Sequence, residues 1–323
     1  MKNNVLKTIA GAMLLALPAV GMAQSYPQGT IEFIVPFSAG GGTDFASRVL
    51  TERVSAQQGW NFVIENRGGA GGNIGLSQLT RAKNDGQVLA MGQTSNMAIN
   101  PTLYANIPYD SLNDFTPIAL ISSQPMVVAV NPTSAYSEFE DLVAAARENP
   151  GKVSMSTPGS GTVSHLAMEV FGDQADVEFM HVPYPGAAQA VTDAIGGHVD
   201  FVAASLPSVL SHIRSGSLKA LVVTSTERNQ ALPDVPTIAE LGYEGFEASD
   251  WKAVVGPADL PADIVETLNT AINEALQDER LIETIVNEGS TVEGGTAEEF
   301  AAYLQTEYER WAEAVASSGA TVE

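Results

Sequence analysis

Few residues in this chain could do chemistry, and their spacing narrows what that chemistry could be. There are four histidines, His165, His181, His198 and His212, and no cysteine. Thiol chemistry is excluded, and the histidines lie far apart in sequence with no metal-ligand spacing. Ser164 and His165 are adjacent; on a helix they point about 100° apart and cannot act together as nucleophile and base. The nucleophile elbow Gly-x-Ser-x-Gly is absent, because P-G-S-G-T puts Ser160 directly after its glycine. What remains is anion binding by backbone. In V-P-F-S-A-G-G-G-T-D-F-A-S-R-V-L, residues 35–50, a hydrophobic run empties into Ser38, Ala39, Gly40, Gly41 and Gly42. Side chains this small let a ligand approach the amides closely. Thr43 suits an N-cap and Asp44 a first helical turn, so the amides ahead of that helix could cradle a phosphate or a carboxylate.

Phosphate loops fail on inspection. The only Gly-Lys pair, Gly151-Lys152, is followed by Val153 rather than Ser or Thr. R-G-G-A-G-G-N-I-G offers Gly69 and Gly71, but Ile74 stands where the dinucleotide fingerprint needs its third glycine. No nucleotide, metal or other cofactor is implied. Further loops carry the same kind of neutral donor: G-Q-T-S-N (92–96), S-T-P-G-S-G-T-V-S-H-L (156–166), H-V-P-Y-P-G (181–186) and A-A-S-L-P (203–207), the last with Ser205 at a strand end. Such groups at strand C-termini suit a small-anion site in the crevice of an α/β sheet.

The elements that must position these loops alternate. β-rich runs at Ile31–Pro36, Asn61–Glu65, Lys152–Ser156 and Glu178–Val182 each lead through a Gly-containing turn to a helical pattern. These helices are predicted to begin near Thr43, Gly75, Thr162 and Ala187, and Val199–Ala204 and Lys219–Thr224 read as further strands. This predicts an α/β protein with parallel sheets covered on both faces. The C-terminal third is helical: Ile264, Leu268, Ile272 and Leu276 form one stripe, and Phe300, Leu304, Tyr308, Trp311 and Val315 another, both read as core. P-M-V-V-A-V-N-P (125–132) and A-S-D-W-K-A-V-V-G-P (248–257) read as strands ending at a proline and as candidate hinges. They would divide the chain into lobe I, 24–125 plus 255–323, and lobe II, 126–254. Two lobes joined by two strands close over a ligand by hinge bending.

The first 23 residues fit an export signal: Lys2 and Lys7, the apolar I-A-G-A-M-L-L-A-L-P-A-V, then small residues ending at Ala23. The apolar run is shorter than the roughly 20 residues that span a bilayer, so a periplasmic protein beginning near Gln24 is expected. Without Lys2 and Lys7 the 15 basic residues become 13 against 38 acidic ones, a net charge of −25. So acidic a chain repels nucleic acid and anionic lipid.

The marks I-E-F-I-V-P-F-S-A-G-G-G-T-D-F-A-S-R, V-I-E-N-R-G-G-A-G-G-N-I-G, D-F-T-P-I-A-L-I, P-G-S-G-T-V-S-H-L, H-V-P-Y-P-G-A-A-Q-A-V-T-D-A-I-G-G-H-V-D and L-P-D-V-P-T-I-A-E-L-G-Y follow in order. From about residue 28 onward the chain thereby resembles the substrate-binding proteins of tripartite tricarboxylate transporters, the TctC-like or Bug family. The resemblance implies a Venus-flytrap protein with two parallel-rich sheets, flanking helices and two hinge strands. It would be a monomer that captures a small organic carboxylate without catalysis and delivers it to a large and a small integral membrane subunit. It further implies that Phe37, Ser38, Ala39, Gly40 and Gly41 supply part of a carboxylate anchor through amides and ordered water. Thr94 and Ser95 would add to it from the same lobe, and Ser160, Gly161, Thr162 and Ser164 from the other, with Tyr184 and Ser205 shaping the pocket. The run S-D-W-K departs from the family pattern by bringing Asp250 and Lys252 near the hinge. Alternation sends both to the face opposite Trp251, either as a surface ion pair or with Asp250 in the cleft selecting an amine or hydroxyl. A sensing role beside a signalling kinase, or a periplasmic hydrolase on the same loops, would be the alternative functions.

Overall fold

The computed structural model describes residues 26–318; the expected export signal lies outside them. Strand β1 (Ile31–Val35) alternates as its sequence does. Ile31, Phe33 and Val35 join one core with Leu50, Leu268 and Ile272, while Ile34 joins another on the opposite face. Helix α1 (Gly42–Gln58) ends at Gly59 in the left-handed conformation. Then come β2 (Phe62–Asn66), α2 (Asn73–Leu79) and β3 (Val88–Gln93), with β2 and β3 parallel to β1 on either side. A single π-helical turn, Ser95–Ile99, runs straight into α3 (Asn100–Leu103).

Strand β4 (Phe115–Val130) carries the chain into a second set: α4 (Phe139–Glu148), β5 (Ser154–Thr157), α5 (Val163–Ala175), β6 (Met180–Pro183), α6 (Ala187–Ile195), β7 (Phe201–Ser205), α7 (Leu206–Arg214) and β8 (Lys219–Val223). Here β5 lies parallel to β6 and β7. Strand β9 (Ser249–Pro257) returns to α8 (Ala262–Leu276), α9 (Glu279–Asn287), β10 (Thr291–Val292) and α10 (Ala297–Ser318).

The expectation of two parallel-rich sheets needs refinement. β4 and β9 pair antiparallel from Phe115↔Pro257 to Pro125↔Ser249, and join the parallel triplets into one mixed sheet, β2-β1-β3-β9-β4-β7-β5-β6. β4 begins ten residues before the expected hinge. Its upstream half was disguised by Pro117, which removes a ladder donor but sits at a register irregularity where none is required. A continuous core crosses the sheet, from Ile34 and Ala90 through Met126 and Trp251 to Phe139 and Phe171. Helix α10 lies along it, packed on the π turn, β4 and α5.

Candidate functional site

The β1–α1 junction gathers backbone amides, but one of them is already bonded within the chain. Gly41 is the N-cap and the helix begins at Gly42, one residue before the expected Thr43. Thr43 is therefore inside the first turn, and its hydroxyl donates to Gln93 Oε1 at 2.5 Å. The expected free amide of Gly40 is also taken: it donates to Asp44 Oδ2 at 2.9 Å. The same carboxylate accepts from Arg48 Nε at 3.0 Å and from Asn66 Nδ2 at 2.9 Å, and Asn66 also donates to the Phe37 carbonyl at 3.0 Å. Burial alone would raise the Asp44 carboxyl, but its bonds from Arg48, Gly40 and Asn66 outweigh that and hold it below the usual carboxylate range. Ser38 and Ala39 stay exposed. The amides of Gly42 and Thr43, in the first helical turn, have no intrahelical acceptor.

Most of the hydroxyls expected to face a ligand are committed elsewhere. Thr94 is fully buried; it accepts from the Trp251 amide at 2.8 Å and donates to the Ser249 carbonyl at 3.3 Å, tying the end of β3 to β9. Ser95 Oγ accepts from Gln93 Nε2 at 3.1 Å. Thr162 caps α5, accepting from the His165 amide and donating to the Gly159 carbonyl at 2.8 Å. Ser164 Oγ lies 3.1 Å from Met126 Sδ, and Ser205 Oγ 3.0 Å from Ser208 Oγ. Tyr184 turns its hydroxyl onto the Asp193 carboxylate of α6. Ser160 and Gly161 lie in the turn before α5, half-buried and buried.

The loops themselves do converge. A Cβ on Gly68 would lie 3.2 Å from the Ser38 amide, and one on Gly72 3.1 Å from the Phe37 ring. One on Gly161 would lie 2.8 Å from Asn100 Oδ1 and 3.1 Å from the Tyr104 ring. The loops after β1, β2 and β3 thus meet one another and the loop after β5. The α7 start also faces the α1 start: Pro207, Gly42 and Phe45 share a cavity of about 10 Å³ with Gln124 and Lys252, room for roughly one water. A groove of about 650 Å³ borders the junction, with Ala70, Asn73 and Tyr104 among its walls and Glu32 of β1, Val88 of β3 and Arg81 just beyond α2 further along.

Two expectations change here. Asp250 and Lys252 do lie opposite Trp251, but as a buried pair rather than a surface one. Lys252 is 2% exposed, its Nζ is 3.2 Å from Asp250 Oδ2, and Gln124 Nε2 donates to the same oxygen at 2.7 Å. Strand alternation fixed the face but could not show that α1, α7 and α9 cover it. The histidines, distant in sequence, are not all distant in space: His165 and His181 stack with centroids 3.9 Å apart. His165 Nδ1 accepts from the Gly161 amide at 3.3 Å, and His181 Nε2 is 2.7 Å from Thr157 Oγ1. Burial first, and for His165 also its neighbour His181, pushes the two down to about 3 and about 4. Both rings are neutral braces for the β5–α5 loop. The β5–α5–β6 crossover brings them together, and no spacing rule reveals that.

Sequence reasoning also passed over Asn73, Asn96 and Asn100. All three are buried behind the glycine loops, and Tyr109 joins them through its hydroxyl, 2.8 Å from Asn73 Oδ1. Nothing in N-M-A-I-N-P marks its asparagines as inward-facing. Among the described residues there is no cluster of three acidic or histidine side chains able to hold a metal, and no helix long and apolar enough to cross a membrane.

Residues 46–319 match the family described as tripartite tricarboxylate transporter family receptor. The structure of the periplasmic binding protein BugD is 32% identical, spans 92% of this chain and all of its own, and superposes with a TM-score of 0.86. Rpa4515 of R. palustris with adipate is 30% identical over 92% of this chain and all of its own (TM-score 0.88). MatC from Rhodopseudomonas palustris with bound malate is 27% identical over 90% of this chain and all of its own (TM-score 0.84).

Proposed function

We propose that this chain, which belongs to the tripartite tricarboxylate transporter receptor family, captures a small organic carboxylate in the periplasm and passes it unchanged to large and small membrane subunits. The observation that carries this reading is the meeting of the glycine-rich loops after β1, β2 and β3 with Gly161, across the strands that join the two halves. Adipate and malate in two structural relatives support a carboxylate as the cargo. The lobes would be 24–125 plus 255–323 and 126–254, hinged on β4 and β9. The ligand would meet the amides of the 37–42 loop, where Asp44 already shows that the backbone there holds a carboxylate. Capture without conversion is supported by the committed side chains: Ser164 faces a methionine sulfur, and His165 a second imidazole.

Proteoliposomes containing the two membrane subunits, labelled carboxylate and the purified protein would test the reading. Accumulation of intact label that depends on the protein is expected. Uptake at the same rate without it, or appearance of a hydrolysed product, would overturn the proposal.

A further inference from the structure

Two buried side-chain atoms near the glycine loops have no hydrogen-bond partner: Asn96 Nδ2 and Asn100 Oδ1. Both residues are fully buried, and buried polar atoms left unpaired in a folded protein call for an explanation. The partners of both amides fix their orientation. Asn96 Oδ1 accepts from the Gln93 backbone N–H at 3.0 Å, which only an oxygen can do, so its NH₂ is the free end. Asn100 Nδ2 donates to the Gly71 carbonyl at 3.1 Å and to Asn73 Oδ1 at 2.7 Å, so its oxygen is free. One free donor and one free acceptor therefore stand four residues apart, at either end of the π turn. Such turns are rare and occur often at functional sites.

Each free atom faces one of the loops that form the junction. A Cβ on Gly72 would lie 2.5 Å from Asn96 Nδ2, and one on Gly161 would lie 2.8 Å from Asn100 Oδ1. The first glycine is on the loop after β2 and borders the Phe37 ring; the second comes from the loop after β5 and closes over Asn100 from the other half. A glycine lies against each atom, so displacement of either loop would open it toward the junction.

Resting on the carboxylate reading above, we infer that Asn96 and Asn100 set ligand specificity, and that the preferred cargo is a carboxylate carrying a hydroxyl or ammonium donor. The Asn96 NH₂ donates to a carboxylate oxygen. The Asn100 oxygen repels a carboxylate and accepts only a donor, so the ligand must bring an O–H or N–H beside its acid group. A plain alkane dicarboxylate would leave that acceptor buried and unpaired, and sites built to bond a donor reject analogues lacking it.

Calorimetric titration of the wild-type protein with matched pairs tests this: succinate against malate and aspartate, and adipate against 3-hydroxyadipate. The expected result is at least tenfold tighter binding of the substituted member in any pair that binds, with malate and aspartate separating hydroxyl from ammonium. Equal affinity within each pair would overturn the inference while leaving carboxylate capture intact. No binding by any of the five would overturn the inference, while carboxylate capture is judged separately by the uptake of labelled carboxylate into proteoliposomes. Asn96→Asp keeps the acceptor for the Gln93 amide and replaces the free donor with an oxygen. It is expected to weaken substituted and plain carboxylates alike by tenfold or more, and unchanged affinity in a folded variant would refute the role of Asn96.

Discussion

Asp44 shows how one buried carboxylate can set the course of a loop. Its carboxylate draws in the Gly40 amide, Arg48 and Asn66, and so sets the path of the backbone from Phe37 to the start of α1. The sequence showed that amides gather here; it could not show that Gly40 bonds Asp44 or that Asn66 arrives from β2 to hold the same carboxylate. The stacked imidazoles act similarly on the opposite loop. His165 and His181 are depressed in the folded state, to about 3 and about 4, and return to about 6.5 when unfolded. As pH falls below about 6.5 the unfolded chain binds protons that the folded one refuses, so their contribution to stability declines until those lower values are passed. The slope is at most about 1.4 kcal/mol per pH unit for each ring, and less for the more exposed His181. Glu169, 3.6 Å from His165 and raised by burial and then by Asp173 and Glu178, takes up its proton early in the folded state and offsets part of this. Melting curves should thus fall between pH 6.5 and 5 in the wild type, and fall less steeply in His181→Gln. Parallel pH profiles would rule the pair out as the cause.

Among the elements, strand–turn–helix units were legible where pattern and punctuation agreed. Predicted and observed starts coincide at β1 and α6 and differ by one residue at α5 and two at β5. The stripes of α8 and α10 also face inward as expected, with one exchange. Tyr308 is half-exposed, while Glu307 is buried and accepts from the indoles of Trp251 at 2.9 Å and Trp311 at 3.2 Å. A polarity rule places Glu outside, yet two indole N–H groups brought together by β9 and α10 need an acceptor. Glu307→Leu should therefore lower the melting temperature by several degrees, since each unpaired indole costs about 1–3 kcal/mol; an unchanged transition would show that the tie carries no weight. Gly161 tests the element on the other side. It has φ +74° with almost no clearance to Asn100. Gly161→Ala would cost about 1–2 kcal/mol in backbone strain and obstruct the meeting of the two loops. Ligand affinity is expected to fall at least tenfold, and undiminished affinity would mean the two loops need not meet.

For the whole molecule, the division of labour follows from topology. Parallel triplets present their strand ends and loops toward each other, while β4 and β9 run between them and carry the buried Lys252–Asp250–Gln124 cluster. Breaking such a pair from one side leaves a buried charge without compensation, which favours the register in which β4 and β9 pair. The acidic balance of the chain, −23 overall, makes long-range attraction of an anion implausible as the source of binding. The proposed grip is instead local, from helix-start amides and asparagine side chains. A thermal-shift titration with di-, tri- and hydroxycarboxylates alongside non-acidic solutes tests that central claim most directly. The melting temperature is expected to rise with carboxylate concentration, reaching about 2.7 kcal/mol of added stability at 100 times the dissociation constant. Stabilisation by a non-acidic solute, with every carboxylate inert, would contradict it.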